Sequence, residues 1–236
     1  MPEPRRRGRP VEVDPDRIAR AVLDVGFDGL TFAAVADRAG IAQATLYRHA
    51  PNRDELVRLG MDLALRGYPW PSLDGPWREV LERWALASWR AWEAHPGAVV
   101  EATRGVVPPS LVQLSDEIAV ALMRAGFGPA QAVLAVDLVF DLAADNRRGV
   151  EDLARTGTDG SSEAMRLRLD AQWRAADTSP ETGGGPTRQE RRQVRDAMVE
   201  AIRQEPVQWF LGKLRVVLAG IERELAPTES RTRGAR

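Results

Sequence analysis

Ala33-Ala34-Val35-Ala36-Asp37-Arg38-Ala39-Gly40-Ile41-Ala42-Gln43-Ala44-Thr45-Leu46-Tyr47-Arg48-His49 is the stretch on which the fold turns. Val35, Ala36, Ala39, Ile41 and Leu46 recur at helical spacing, with one interruption at Gly40. Two short helices joined by a tight glycine-containing turn make a helix-turn-helix. Ala33 to Gly40 is the supporting helix and Gln43 to His49 the reading helix. The small apolar set packs one against the other. Gln43, Ala44, Thr45, Tyr47, Arg48 and His49 are left outward, a flat hydrogen-bonding surface that suits a DNA major groove ~12 Å wide.

Outward from this stretch the punctuation stays helical. Asp14-Pro15 reads as a cap followed by proline at the first helical position, opening a helix that ends near Gly26. Thr31 caps the supporting helix. Asn52, with Glu55 three residues on, reads as a capping box that opens a fourth helix. Beyond Gly67-Tyr68-Pro69-Trp70-Pro71 the helices become longer and more apolar. Trp77, Val80, Leu81, Trp84, Ser88, Ala91, Trp92 and His95 share one stripe, stopped by Pro96-Gly97. Further helices are expected over 98–106, 110–125, 129–147, 188–203 and 206–225, the last two preceding a frayed tail. No stretch alternates as a strand would, so the fold class is all-α. The expected organisation is a flexible basic arm over 1–12 and a helix-turn-helix DNA-binding domain over 13–66. A larger helical domain covers 67–226, mobile around 156–187, and a disordered tail covers 227–236.

Composition narrows the chemistry. The 236 residues are 44% hydrophobic and 28% charged, as in ordinary globular proteins. The absence of cysteine removes disulfides, thiol nucleophiles and Cys-ligated metal sites, and two histidines leave no room for a multi-His centre. A net charge of −1 argues against a protein coated in positive charge. Residues 1–66 hold 11 basic against 10 acidic residues, so DNA binding would rest on a few placed arginines, with a moderate salt slope. No apolar run approaches the ~18 residues of a membrane span, and the Arg-rich start has no apolar segment behind it. A soluble, cytoplasmic protein without a membrane partner is expected. The sequence holds no nucleophile–base pair, Gly-rich phosphate loop or HExxH, so no enzyme is expected either.

Leu30-Thr31-Phe32, Val35-Ala36, Ala39-Gly40-Ile41 and Gln43-Ala44-Thr45-Leu46-Tyr47-Arg48-His49 together resemble the DNA-binding domain of the tetracycline-repressor (TetR) family. Gln-x-Thr-Leu-Tyr-x-His followed by Asn52-Arg53 is most similar to the tetracycline repressors themselves. Near the far end Glu205-Pro206, Phe210-Leu211-Gly212 and Leu218-Ala219-Gly220-Ile221-Glu222 resemble the last helix of that subfamily. The resemblance implies that Gln43 reads a base edge and that Ala44 and Thr45 lie on thymine methyls or phosphate. Tyr47, His49 and Arg53 would hold the DNA backbone, and Thr31 would meet a phosphate at a helix N-terminus. Arg48 belongs to the same outward face. Ala33 stands where tetracycline repressors carry a base-reading arginine, which implies a different operator. Arg7-Gly8-Arg9-Pro10 reads either as an A·T-hook core, placing Arg7 and Arg9 in a minor groove, or as a solvated terminal charge run.

The resemblance also implies a body that pairs two subunits and holds an effector. Helices 129–147 and 206–225 are the expected pairing elements, with Leu134, Leu138, Leu142, Trp209, Phe210, Leu214 and Val217 at a two-fold seam or, on the plainer reading, in one subunit's core. Trp77, Trp84, Ser88 and Trp92, with Glu101 and Arg104 on the next helix, are candidate pocket residues for a hydrophobic or polycyclic effector. Asp137 and Asp141, in line with Asp145, form either an acidic wall for a cationic ligand or an ion-pair row facing the Arg-rich helix at 188–203. In the tetracycline-repressor frame the metal-binding His becomes Glu101, and the other polar pocket positions fall near Pro69 and Trp84. Glu101 suits Mg²⁺, but the rest of the drug-binding set is missing, so neither tetracycline nor a metal cofactor is expected. The expected function is a homodimeric, ligand-responsive repressor, released by its effector from a palindromic double-stranded operator. A DNA-binding module without a ligand, or a metal-binding helical enzyme using the Asp row and Glu101, are the alternatives. A sizeable cavity separates the first from the sensor.

Overall fold

The computed structural model describes residues 14–156, 162–175 and 187–227, with the side chains of residue 156 and residues 162–165 left aside. Within these residues the chain is all helix, as the sequence predicts. The order is α1 (Pro15–Val25), α2 (Phe32–Ala39), α3 (Gln43–His49), α4 (Arg53–Gly67), α5 (Trp77–Ala94), α6 (Ala98–Thr103), α7 (Pro109–Arg124), α8 (Pro129–Thr156), α9 (Ser162–Ala175), α10 (Arg188–Arg203) and α11 (Pro206–Glu224).

The chain divides into two compact units, one ending at Tyr68 but also including His95–Val112, the other comprising Pro69–Ala94 and everything from Gln113 onward. In the first, local chemistry fixes each short helix. The Asp14 carboxylate accepts from the Asp16 amide at 3.0 Å, the Thr31 hydroxyl from Ala34 at 3.1 Å and the Asn52 side chain from Glu55 at 2.9 Å. Each cap satisfies an amide that the helix itself leaves orphaned, contributing about 1 kcal/mol. Gly40 closes α2 at φ 62°, a left-handed conformation that a side chain would strain. One expectation fails in part: Asn52 caps α4, but Glu55 does not complete a box, because Arg58 Nε donates to its carboxylate at 2.9 Å. The complete capping box lies elsewhere, at Thr187 and Glu190 before α10.

Ile18, Val22, Val35, Leu46, Leu56 and Val57 are fully buried and form the heart of this unit. Gly60 of α4 lies against Val22 of α1, so close that an added methyl would overlap the valine. α6 and the start of α7 are tied to α4 by two polar contacts. Arg53 Nη2 donates to Glu101 at 2.8 Å, and the Ser110 amide donates to Asp62 at 2.9 Å.

The second unit is built around α5, α8 and α11. Leu81, Trp84, Trp89, Val139, Phe210 and Leu214 lie in its core, and Arg78 of α5 pairs with Glu222 of α11 at 2.7 Å. Phe210 and Leu214 are 0% and 1% exposed, so they belong to one chain's core rather than to a seam. Leu134, Leu138 and Trp209 do face outward, 46%, 41% and 43% exposed. α8 runs to Thr156, nine residues past its predicted end, because no proline or cap interrupts it after 147. α9 packs on α8 and α10 of its own chain.

Candidate functional site

The seven residues of α3 give just under two turns, and one buried side chain fixes them. Leu46 is fully buried, whereas Gln43, Ala44, Tyr47, Arg48 and His49 are exposed. Thr45 is half-buried and accepts a hydrogen bond from Arg48 Nη2 at 3.2 Å. The Tyr47 ring is 48% exposed yet stacks on Phe32 of α2, with centroids 4.2 Å apart and planes 9° from parallel. That stack holds the phenol on the outward face and links the reading helix to its support. Arg38 of α2 is anchored to Asp24 of α1, its Nε donating at 2.7 Å. Thr31 is exposed at the start of α2 while its hydroxyl caps Ala34. The face therefore presents one amide, one phenol, one guanidinium and one imidazole from a backbone held by packing and caps. Arg7 and Arg9 lie outside the described residues.

Arg53 is placed differently from the rest of the candidate DNA contacts. Its Nη2 reaches Glu101 and, at 3.4 Å, the Phe27 carbonyl, while Nη1 is buried with no hydrogen-bond partner. The hydrogen bond and charge of Glu101 hold the guanidinium still more firmly protonated, against the opposing cost of burial. Glu101 is 5% exposed and also pairs with Arg104 at 3.5 Å. Glu101 and Arg104 thus form an ion-pair cluster with Arg53 inside the first unit.

The remaining pocket candidates lie in the second unit. Trp84 is 2% exposed and stacks on Trp70 at 5.1 Å, its indole N–H buried without an acceptor. Trp77 is half-buried and meets Phe127 edge-on at 5.3 Å. Ser88 and Trp92 are buried, whereas Asp137 and Asp141 are exposed. Partial burial, then the neighbouring Asp137 and Asp145, push the Asp141 carboxyl above its ordinary range. Asp145 pairs with Arg148 one turn along α8, at 2.6 Å, rather than with an arginine of α10. Among the described residues no three His, Asp or Glu side chains are grouped to hold a metal.

The sequence reading missed a cavity of about 320 Å³ within the second unit, bounded by α5, α8, α9, α10 and α11. Trp89, Val150, Leu153, Met198, Ile202 and Trp209 supply apolar wall, with Asn146, Arg166 and Lys213 among the polar groups. None of the eight candidate ligand residues lines it. Among the described residues no helix is long and apolar enough to cross a membrane.

The HTH-type transcriptional repressor DrrR1 of Streptomyces coeruleorubidus is 27% identical over 131 residues, covering 52% of this chain and 48% of that protein. An HTH-type transcriptional regulator of Saccharopolyspora erythraea is 28% identical over 140 residues, covering 57% of this chain and 59% of that protein. The matched stretch thus spans about half of these relatives' length. Among solved structures, the Streptomyces coelicolor TetR family protein ActR in complex with actinorhodin superposes with a TM-score of 0.72. Its identity is 20%, over 89% of this chain and 96% of that one. A glutamine-to-alanine variant of TetR from Acinetobacter baumannii in complex with minocycline is similar over 71% of this chain and all of that one, with a TM-score of 0.55 and 22% identity. These likenesses describe the fold. Residues 17–59, which hold the whole helix-turn-helix, match the family described as bacterial regulatory proteins, tetR family.

Proposed function

We propose that this chain is a homodimeric transcriptional repressor that binds a palindromic double-stranded operator and is released from it by a small hydrophobic or polycyclic effector. The observation that carries the reading is the outward face of α3. Gln43, Tyr47, Arg48 and His49 stand exposed on a helix pinned by fully buried Leu46, the arrangement that a major-groove reader requires. Dimerisation follows from the same geometry, because two reading helices must sit about one DNA turn (~34 Å) apart. Exposed Leu134, Leu138 and Val216 on α8 and α11 offer apolar surface to a second copy. The cavity in the second unit favours a sensor over a module that binds DNA alone, and the relatives solved with actinorhodin and minocycline agree with that choice.

The test is selection of duplexes from a randomised pool by the full chain, followed by anisotropy titration of the winner. A palindrome is expected, bound by a dimer. Gln43→Ala should relax preference at one base pair by about 1–3 kcal/mol, whereas His49→Ala should weaken all sequences alike. Arg53→Ala is a poor probe of DNA contact alone, since it also cuts the tie to Glu101. Recovery of no common sequence at low ionic strength, or indifference to both substitutions, would overturn the proposal.

A further inference from the structure

The geometry points to the cavity between α8, α9, α10 and α11 as a binding site for a planar apolar molecule carrying one anionic group, with Lys213 as its counter-ion; this rests on the sensor reading above. Three observations converge there. The first is the wall: the indoles of Trp89 and Trp209 with Leu153, Met198 and Ile202 make a surface that flat hydrocarbon would desolvate well.

The second is charge. Lys213 Nζ donates to Asn146 Oδ1 at 2.7 Å and lies 5.8 Å from the centre of the Trp209 ring. Among the described residues no ion pair with a carboxylate is found for it. The lining carboxylate, Asp145, is engaged by Arg148. Arg166 adds a guanidinium to the lining, 3.9 Å from Glu205. A ligand anion would therefore meet an ammonium already oriented by an amide and an aromatic face.

The third is Gly149. It sits inside the long helix α8, where glycine costs stability relative to alanine. It lines the cavity, and a β-carbon built on it meets no atom within 4 Å. Packing within the chain therefore does not require glycine there. An occupant of the cavity explains the missing side chain, and so does close approach of a second copy, which makes Gly149 the position at which the two separate.

The probes are anilinonaphthalene sulfonate, a flat apolar anion, and phenylnaphthylamine, nearly the same body without the sulfonate, titrated by fluorescence into the full chain without DNA. One sulfonate probe should bind per chain, at least about tenfold tighter than the neutral probe. Lys213→Met should remove that preference, weakening the sulfonate probe about tenfold and leaving the neutral one unchanged. Gly149→Leu should abolish binding of both while holding or raising the melting temperature, because leucine favours helix. Ala201→Leu, on the stretch of α10 that lines the cavity, serves the same purpose should Gly149→Leu fail to fold. Three results would overturn the assignment: no saturable site in the native chain, equal affinity for the two probes, or sulfonate binding that survives cavity filling. A Gly149→Leu chain that sediments as a monomer yet still binds the probe would give the glycine to a subunit seam and likewise overturn it. DNA binding is measured separately, so loss of operator recognition and loss of this site are told apart.

Discussion

The helix-turn-helix and the long-helix bundle bury their apolar residues on different terms. α2 and α3 have eight and seven residues, whereas α8 has 28. A helix of two turns has room for a single inward face. Leu46 is the one fully buried residue of α3, and Gln43, Tyr47 and His49 are left exposed around it. A helix of nearly eight turns meets several neighbours in succession. α8 packs on α5, α9 and α11, and the same residue type is core at Val139 and exposed at Val133. Short elements thus declare their outward chemistry locally, while long ones acquire it from whatever packs beside them.

That contrast is most exposed at Trp84. With the indole 2% exposed and stacked on Trp70, Trp84→Ala should cost about 3–5 kcal/mol of stability, read by denaturant unfolding. A much smaller loss, coupled to weakened ligand binding, would return this tryptophan to the role of pocket wall. Next in size is the tie between α4 and α6. Glu101→Gln removes the buried charge facing Arg53, whose guanidinium is partly solvated, so a loss of about 1–2 kcal/mol is expected. Glu101→Asp should be no milder, since the shorter carboxylate falls short of the 2.8 Å contact.

Acid should reach the first unit through Asp62. Burial alone would raise its carboxyl, but donors from Ser110 and Arg66 outweigh that and hold it below the ordinary carboxylate range. A depressed folded value contributes stability above the unfolded value, near pH ~3.9, and that contribution is lost as pH falls through the folded one. Asp62→Asn should therefore flatten the acid limb of the stability curve at and below pH ~4, measured by thermal melts across pH. The smallest expected effect lies on α8. The raised Asp141 carboxyl means that its charged form disfavours the fold at neutral pH. Asp141→Asn should stabilise by a few tenths of a kcal/mol, an effect that fades in high salt and at low pH.

How much was legible in the sequence follows from the same difference in length. Asp14, Thr31, Gly40 and Asn52 mark helix ends by chemistry that acts within four residues, so the reading unit could be drawn almost residue by residue. The stripe of Trp77, Trp84 and Trp92 was visible too, but periodicity tells only that these rings share a side of a helix. It does not tell whether Trp70 or a ligand lies opposite. The cavity was invisible because its walls come from five helices distant in sequence. The tie from Arg53 to Glu101 spans 48 positions and has no short-range signature.

Gly60 carries a mechanical consequence. Where α1 crosses α4 there is no side chain on one partner to act as a cushion, and Val22 rests directly on the other's backbone. Sliding α1 along α4 would drive that valine into the flanking side chains of the same helix. The two are therefore coupled like a keyed joint, and a rearrangement that carries α4 is expected to carry α1, with the α2 packed upon it.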